Sequence, residues 1–389
     1  MKKHAIIPIF IPHRGCPNDC VFCNQRKITA RQDTVTLETA RQTIETWLST
    51  LEPRLAAKAV SGTCADGSSP CTSGGIETIE VAFFGGSFTG IPLEEQSAFL
   101  AVAKEYKDAG RIHHIHLSTR PDYINEEILD NLKKYDVDVI ELGVQSLDDR
   151  VLKAAGRGHD AAAVYRASDI IKAWGFTLGI QLMVGLPGST LETEIYSAKE
   201  TVCIAPAIAR LYPTVILPET VLHAMYLSGR YVPLSEPDAV HRTKEMYKIL
   251  HAAGINIIRV GLKSSDIMTG SHGGAAGTFH PAFRQLVEGA IAREELERQV
   301  NKLYPGIRDP HDDRWKFCPA CLFVSTEKDR NNLFGHKSTN KEYFAQEYRG
   351  LNIEYVTDKQ AGLTLRDGEY RVVDLGPAYK LHSIKEKLR

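Results

Sequence analysis

The feature that most constrains the fold is a regular alternation of strand-like and helix-like segments along the first two thirds of the chain. Six short apolar runs are each followed by a stretch of helical spacing, and a seventh strand-like run follows at Ile255–Val260. Parallel strands joined by helical crossovers give this order. The sequence therefore predicts an α/β fold, and about six such units suit a partial (β/α)6 barrel of the TIM type. The predicted strands are Ala5–Pro12, Glu77–Phe84, His113–Ser118, Val139–Gly143, Thr177–Val184 and Ile208–Leu217.

The chain divides into three predicted regions, and its 389 residues suit two or three domains. The barrel is expected at residues 1–265. Residues 61–75, rich in Gly, Ser, Thr and Pro, are typical of a flexible surface insertion. Residues 266–312 are predicted to form a glycine-rich loop and a helix, and residues 313–389 a small α+β C-terminal domain.

Charge and composition exclude some classes of protein. The net charge of −1 argues against a global attraction to nucleic acid, although a local basic patch stays open. No segment approaches the ~20 consecutive apolar residues of a membrane helix, so we expect no membrane association. Eight cysteines in a chain of this length do not resemble a disulfide framework, which favours a reducing, cytoplasmic setting.

Three cysteines near the start of the chain carry the clearest chemical signal. Cys16, Cys20 and Cys23 have the spacing C-x3-C-x2-C, and Phe22 precedes the third. Thiolates are the usual ligands of iron–sulfur clusters, and four of them normally saturate a 4Fe–4S cube. Three thiolates would leave one iron open to a small molecule, as a catalytic zinc site keeps an open position. A zinc knuckle is the alternative, although zinc sites favour paired C-x2-C clusters.

The other cysteines carry weaker signals. Cys64 and Cys71 lie in the predicted insertion, and Cys318 and Cys321 form a distant C-x2-C pair. The two pairs could together bind an auxiliary cluster or zinc. Their separation and the low complexity around the first pair favour incidental thiols. Cys203 falls on a predicted helix, where we expect it to be buried in the core.

Polar and glycine-rich runs follow the predicted strands. In barrel enzymes the active groups lie at the carboxyl ends of the strands, so these runs are candidates for ligand binding. Glycines directly after a buried strand let the backbone come close to a ligand. In chain order the runs are FFGGSFTG at 83–90, STRPDY at 118–123, ELGVQS at 141–146, RGH at 157–159 and GLPGS at 185–189.

Together with the cysteines, these ordered runs resemble the radical S-adenosylmethionine (SAM) class, and in particular the radical SAM half of the Elongator catalytic subunit family, which modifies tRNA. The resemblance covers roughly residues 4–265. It implies a 4Fe–4S cluster on Cys16, Cys20 and Cys23, and SAM that is cleaved to a 5′-deoxyadenosyl radical. It also implies tRNA as a possible partner and an electron donor such as a flavodoxin or ferredoxin.

The same resemblance implies residues that contact SAM. The paired glycines would meet the methionine amino group through the backbone, Gln145 would bind the ribose, and Arg157 would pair with the methionine carboxylate. Ser87 and Ser118 stand where many relatives carry glutamate. No catalytic side chain is singled out. The implied SAM contacts are Gly85, Gly86, Ser87, Ser118, Gln145, Arg157 and Gly185.

The substrate is left open by the sequence. The Elongator family has a C-terminal acetyltransferase domain, and the residues after about 300 are too few for it, so acetyltransferase activity is not expected. A radical SAM enzyme acting on a small molecule or a tetrapyrrole-like substrate is the alternative among enzymes. A non-catalytic module that binds SAM or RNA is the alternative of another class.

The last third of the chain gives only faint signals. Residues 314–389 hold 14 Lys and Arg against 10 Asp and Glu. The strand, glycine loop and helix around Gly335 are faintly similar to a KH-type RNA clamp, although Ser338 replaces the second glycine. A small α+β lid without RNA contact fits equally well. His272 and His280 could act in proton transfer, but we favour a role in capping the helix that follows.

Overall fold

The fold is described from a computed structural model of the chain. Five residues singled out above (Cys16, Cys64, Cys71, Cys318 and His272) and the predicted insertion 61–75 lie outside the described residues. The structure describes residues 4–11, 20–23, 35–60, 76–262, 276–309, 311–312, 314, 320–325, 330–348, 352–357, 370–373 and 383–387.

Seven strands form one sheet in which every neighbouring pair is parallel. Their spatial order is their order along the chain, so each crossover connects adjacent strands. All their carboxyl ends therefore lie at one edge of the sheet. The strands are β1 (His4–Ile11), β2 (Thr78–Gly85), β3 (His114–Thr119), β4 (Val139–Gln145), β5 (Thr177–Val184), β6 (Ile208–Pro213) and, after a short β7 (Val215–Ile216), β8 (Asn256–Val260).

Helices follow the strands and begin at polar caps. The side chains of Asn125, Asp160 and Thr190 each accept a hydrogen bond from a backbone N–H in the first turn of the next helix. The helices are α1 (Leu37–Val60), α2 (Leu93–Asp108), α3 (Glu126–Lys134), α4 (Asp149–Ala154), α5 (Ala161–Ala173), α6 (Leu191–Ile204), α7 (Val221–Leu227) and α8 (Glu236–Ala252).

This arrangement confirms the predicted α/β partial barrel, with β8 as its seventh strand. Two details of the prediction were wrong. The sixth strand ends at Pro213, which has no N–H for the ladder, and Val215–Ile216 instead pairs with β9 (Ala276–Gly277) in an antiparallel ribbon. Cys203 is exposed, because the buried face of α6 carries Thr201 and Ile204 instead.

The two faces of the sheet differ in polarity. On one face Val81, Ile115 and Ile140 are fully buried. Successive residues of a strand point to opposite faces, so their neighbours along the chain, Glu80 and His116, face the other way. That opposite face carries buried charges, which are described below.

The chain divides into two compact units. The first comprises Met1–Ser235 and Met246–Phe279, and the second comprises Glu236–Glu245 and His280–Arg389. Among the described residues, no helix is both long and apolar enough to cross a membrane.

The second unit is α+β. Its four strands form a mixed sheet in the order β11, β10, β13, β12, in which β10 and β11 are parallel. His280 Nδ1 accepts a hydrogen bond from Ala282 N (3.0 Å), but the helix that begins after Ala282 has no side-chain cap, so the capping role of His280 stays a prediction. The elements are α9 (Phe283–Leu303), β10 (Ala320–Ser325), α10 (Arg330–Phe334), α11 (Thr339–Glu347), β11 (Asn352–Thr357), β12 (Tyr370–Val373) and β13 (Ser383–Lys387).

Candidate functional site

The described part of the cysteine loop is a tight turn at residues 20–23. Cys23 N donates to Cys20 O (2.9 Å), which closes the turn. Val21 is held on both sides, because its N–H donates to Ala155 O (3.1 Å) and its carbonyl accepts from Leu222 N (2.7 Å). The turn is therefore fixed to the residue after α4 and to the first turn of α7.

Phe22 anchors the same turn by packing. Its ring contacts two small clusters of buried residues, one at the end of α4 and one that involves α7. This explains the aromatic residue before the third cysteine as a hydrophobic anchor. The buried members of the two clusters are Val151, Ala155 and Leu186 in the first, and Ile216, Leu222 and Tyr231 in the second.

The sulfur of Cys20 lies beside two buried guanidinium groups. Cys20 is only 4% exposed. Arg157 Nη1 donates to its Sγ at 3.1 Å, and Arg120 Nη1 makes a longer contact of 3.9 Å. Two positive groups next to one sulfur complement the negative charge of a metal-bound thiolate. The structure thus joins Cys20 and Arg157, two residues that the sequence assigned to one site.

Both arginines are held in place by further hydrogen bonds. Arg120 donates from Nε and Nη2 to the two carboxylate oxygens of Asp122 (2.9 and 2.7 Å), and Nη2 also donates to Arg157 O (2.6 Å). Arg157 Nη2 donates to Gly143 O. Arg157 Nε is buried without a hydrogen-bond partner among the described residues. The Nε–H of Arg157 is therefore available to a ligand.

Gln145, the implied ribose contact, has an unusual backbone conformation. It is buried, its φ is +70°, and the register between β4 and β5 shifts between Gly143 and Gln145. Its side-chain Oε1 has no hydrogen-bond partner within the described residues. A non-glycine residue in the left-handed region costs on the order of 1–3 kcal/mol and is often found at functional sites. An unsatisfied buried oxygen on a strained residue fits a ligand contact.

Gly143 leaves room between the two implied SAM contacts. A Cβ at this position would lie 3.1 Å from Gln145 Nε2 and 3.5 Å from Arg157 Nη2. The absence of a side chain therefore lets both polar groups approach the end of β4. Sequence reasoning did not single out Gly143, although it lies within the run 141–146.

The glycines after β2 and β5 lie at the same edge of the sheet. Gly85 has φ +107°, and a Cβ there would be 2.7 Å from Ile11 O, so the close approach of β1 requires glycine. Gly86 N donates to that same oxygen at 3.2 Å. Ser87 is buried and Ser118 is partly buried at the ends of β2 and β3.

Gly185 is fixed by three neighbours after β5. Its N–H donates to Glu194 Oε1 (2.8 Å) and its carbonyl accepts from Tyr231 OH (2.7 Å). Its φ is +80°, and a Cβ would lie 2.9 Å from Leu234 Cδ1. Both the positive φ and the close contact with Leu234 require glycine here, and the two hydrogen bonds hold its backbone in place.

A layer of charged side chains, called here the charged layer, crosses the polar face of the sheet. His116 Nδ1 lies 3.2 Å from Glu80 Oε1, and His116 Nε2 lies 3.3 Å from Glu141 Oε2. Arg210 Nε lies 2.8 Å from the same Glu141 oxygen. The layer thus pairs two carboxylates with a histidine and an arginine, one residue from each of β2, β3, β4 and β6.

The charges in this layer shift one another's pKa values. Burial opposes ionisation of Glu80, but its contacts with His116 and His4 outweigh burial and lower its pKa to about 2. Burial likewise opposes a charged His116, yet the Glu141 and Glu80 carboxylates raise its pKa above 6.5. The pKa of Glu141 is lowered, because Arg210 and His116 together outweigh its burial. We infer that the layer is ionised and close to neutral overall at pH 6.

A cavity of about 600 Å³ lies at the opposite, amino-terminal edge of the sheet. Its charged lining is paired internally, as in Lys107 with Asp138 (2.7 Å) and His116 with Glu80. Active groups of barrel enzymes lie at the carboxyl edge. We therefore place the candidate site at the edge that holds Cys20 and Arg157.

His159 lies near the arginine pair and stays neutral. Burial and the positive charge of Arg157 lower its pKa to about 4. A histidine with this pKa is not a cation at neutral pH, so it adds no further positive charge around Cys20. Its Nδ1 lies 3.3 Å from Asp160 O.

The residues at this edge fit the groups that the sequence implies. A buried sulfur with N–H donors suits an iron ligand, and the buried Arg157 Nε and Gln145 Oε1 offer one donor and one acceptor to a polar ligand. Cys20 and Cys23 are the two described ligands of the proposed set of three. The sequence analysis did not single out Arg120 and Asp122. The sequence feature that could have indicated their ion pair is an arginine two residues before an aspartate in the run at 118–123.

Two family profiles match the chain. That of the Radical SAM superfamily matches residues 74–198, and that of the Radical_SAM C-terminal domain matches residues 206–293. The chain contains a radical SAM domain. The first match includes every implied SAM contact of this radical SAM domain, from Gly85 to Gly185, and the cysteine run precedes it.

Curated relatives of the chain include a tRNA uridine(34) acetyltransferase and an Elongator complex protein 3. The tRNA uridine(34) acetyltransferase of Methanocaldococcus infernus is 25% identical over 259 residues, which cover 61% of this chain and 48% of the relative. The human Elongator complex protein 3 is 28% identical over 185 residues, which cover 42% of this chain and 34% of the relative. This chain therefore spans at most about half the length of these relatives.

A solved structure supports the fold of the radical SAM domain. The archaeal Methanocaldococcus infernus Elp3 with an N-terminal deletion matches with a TM-score of 0.56 at 20% identity. The match covers 76% of this chain and 64% of that chain. It agrees with a partial TIM-type barrel.

Proposed function

We propose that this chain is a radical SAM enzyme that acts in tRNA modification. The observation that carries the proposal is the buried Cys20 sulfur, which accepts a hydrogen bond from Arg157 at the carboxyl edge of the parallel sheet. Most of that sheet belongs to the stretch that matches the radical SAM profile. When bound, a 4Fe–4S cluster supplies the electron that cleaves SAM to a 5′-deoxyadenosyl radical. Cys16, Cys20 and Cys23 are the proposed ligands, and a flavodoxin or ferredoxin is the proposed electron donor.

The chain's own residues would bind and orient SAM. Arg157 Nε would donate to the methionine carboxylate, since it is buried without a partner among the described residues, whereas Nη1 and Nη2 each already donate to the protein. Gln145 Oε1 would accept from a ribose hydroxyl. Both groups are buried, so hydrogen bonds to them are strong and leaving them unpaired is costly. The backbone at Gly85 and Gly86 is proposed to contact the methionine amino group.

The tRNA substrate is proposed from the names of the relatives. Those names describe a tRNA uridine(34) acetyltransferase and Elongator complex protein 3, and this chain matches only part of each. Acetyl transfer is therefore not part of the proposal. The proposed tRNA substrate is supported by the part of each relative that matches this chain.

Cluster assembly tests the ligand assignment. Wild-type protein, reconstituted without oxygen, should bind about four irons and four sulfides per chain and absorb as a 4Fe–4S cluster. Cys20→Ala and Cys23→Ala should lose this absorbance and SAM cleavage. Cys203→Ala is the matched control, since Cys203 is exposed on α6 and should change neither. Full loading of the Cys20→Ala and Cys23→Ala proteins would contradict the assignment.

A further inference from the structure

A continuous chain of polar contacts runs from the surface to the sulfur of Cys20. Asp122, which is partly exposed, accepts two hydrogen bonds from Arg120 (2.9 and 2.7 Å). Arg120 donates to the carbonyl of Arg157 (2.6 Å), and Arg157 donates to Cys20 Sγ (3.1 Å). Within this chain of contacts, Arg120 binds Asp122 and Arg157, and Arg157 binds Arg120 and Cys20. The sulfur's environment is thus fixed by residues from β3's end and from the turn after α4.

This arrangement changes the role expected of Arg157. A bidentate pair with a carboxylate needs two parallel N–H groups of the guanidinium. In this structure Nη1 is directed at Cys20 Sγ and Nη2 at Gly143 O. Nη1 and Nη2 thus each use one N–H on the protein, and Nε is the nitrogen that has no hydrogen-bond partner among the described residues. The orientation of Arg157 depends on the carbonyl that Arg120 binds.

We propose that Arg120, held by Asp122, is a positioning residue that fixes Arg157 against the Cys20 sulfur and thereby raises the reduction potential of the bound cluster. The proposal rests on the proposed function, in which Cys20 ligates that cluster. Hydrogen bonds to cluster sulfurs and buried positive charge both favour the more negative, reduced state. Arg120 and Arg157 are 3% and 6% exposed, so water screens their charge little.

The role requires arginine in particular. A planar guanidinium can bind a carboxylate with two nitrogens and still donate a further N–H to a carbonyl, whereas a lysine ammonium has a single charged nitrogen. Arg120 uses Nε and Nη2 on Asp122, Nη2 also on Arg157 O, and Nη1 toward Cys20 at 3.9 Å. Arg120 and Asp122 are two residues apart, on either side of Pro121. The short 3-10 turn Pro121–Tyr123 follows Arg120 directly, so the pair forms within one short segment of the chain.

The test is a redox titration of the reconstituted cluster, followed by electron paramagnetic resonance, in wild type, Arg120→Gln and Asp122→Asn. We expect Arg120→Gln to shift the one-electron equilibrium at least tenfold toward the oxidised form, which corresponds to about 59 mV. Asp122→Asn keeps the guanidinium but loosens its anchor. Its lost negative charge acts in the opposite direction but is screened by water, because the Asp122 side chain is 26% exposed, so we expect a smaller shift of the same sign. Asp122→Asn also serves as the milder variant if Arg120→Gln does not fold.

Arg150→Gln is the matched control. Arg150 also binds an aspartate two residues away, Asp148, but its side chain is 85% exposed. Its loss should leave the potential unchanged. Loaded Arg120→Gln and Asp122→Asn clusters with the wild-type potential would overturn the inference and leave the proposed function standing. A wild-type chain that never assembles a cluster would overturn both.

Discussion

Gly143 is the residue between the two polar groups that we propose to bind SAM. Its absent Cβ would be 3.1 Å from Gln145 Nε2, which is tighter than ordinary van der Waals contact. We predict that Gly143→Ala displaces the glutamine and weakens SAM binding by about 1–2 kcal/mol, roughly 5- to 30-fold. Titration calorimetry of the reconstituted protein measures this.

The control for that prediction is Gly289→Ala. Gly289 lies in the second unit, and its nearest neighbour would be 3.4 Å from the new Cβ. SAM affinity should stay unchanged in this variant. An unchanged affinity in Gly143→Ala as well would remove the end of β4 from the proposed SAM site.

Strain and function can be separated at Gln145. Gln145→Gly relieves the left-handed backbone at φ +70°, whereas Gln145→Ala does not. We predict that the glycine variant is about 1 kcal/mol more stable than the alanine variant, and that both lose SAM affinity. Urea unfolding and SAM titration measure the two effects.

Ala205→Gly is the matched control for the strain. Ala205 has φ +55° at the end of α6 and is exposed. Glycine there should raise stability and leave SAM binding intact. If Gln145→Ala binds SAM as wild type does, the side chain has no role in the site.

At the residue scale, the sequence shows which kinds of side chain are present at a site more readily than which side chains contact one another. The cysteine spacing and the glycines after the strands were visible as motifs. The bond from Arg157 to Cys20 joins residues 137 positions apart, and no local pattern encodes such a contact. Arg120 was quoted within a motif, but its role depends on the carbonyl of Arg157, which only the fold brings near.

At the scale of elements, the charged layer links four strands through buried ion pairs. The pKa of His116 is raised above 6.5, so its charge contributes stability that is fully present below pH 6.5 and is lost as the pH rises through the raised value. We predict that His116→Gln lowers the free energy of unfolding by about 3–5 kcal/mol near pH 6 and flattens its decline above pH 6.5.

Urea unfolding between pH 6 and pH 9 measures this slope. His241→Gln is the control, since His241 is exposed on α8 and its loss should leave the wild-type slope in place. A His116→Gln protein with the wild-type slope would mean that His116 is not charged in the folded chain.

Strands and helices were largely predictable, because apolar runs and helical spacing are local signals. The fifth predicted strand, Thr177–Val184, matches the structure, and the helix predicted within residues 266–312 is found at Phe283–Leu303. The charged layer was not predicted. In the sequence, Glu80 and Arg210 each appear as a single polar residue in an otherwise apolar strand. Their ion-pair partners, His116 and Glu141, lie on other strands that are far away in sequence.

At the scale of the whole molecule, the basic tail is the part of the chain most open to an RNA hypothesis. Lys337, in the 3-10 turn His336–Ser338, and Lys341, in the first turn of α11, are both exposed. We predict that Lys337→Glu together with Lys341→Glu weakens tRNA binding and flattens its salt dependence, because fewer counterions are released. Binding isotherms at several salt concentrations measure both effects.

A double variant of the first unit, Lys134→Glu with Lys153→Glu, changes net charge equally at two exposed lysines. It should affect tRNA binding less. Equal effects of the two double variants would show that only net charge matters and that the tail has no specific role.

The division of the molecule was harder to foresee than its fold class. The sequence placed boundaries near residues 265 and 312, whereas the second unit begins at His280 and also takes Glu236–Glu245 from α8. The first half of a helix that belongs to the same unit as a later part of the chain leaves no composition signal. The fold class itself followed from the alternation of elements, which does not depend on boundaries.

The most direct test of the proposed radical SAM activity on tRNA is release of 5′-deoxyadenosine from SAM by anaerobically reconstituted, reduced protein, measured with and without bulk tRNA. We predict release that depends on Cys20 and that tRNA stimulates. Release that ignores tRNA would contradict the proposed substrate and favour a small molecule. No release from protein with an intact, reduced cluster would contradict the radical SAM activity itself.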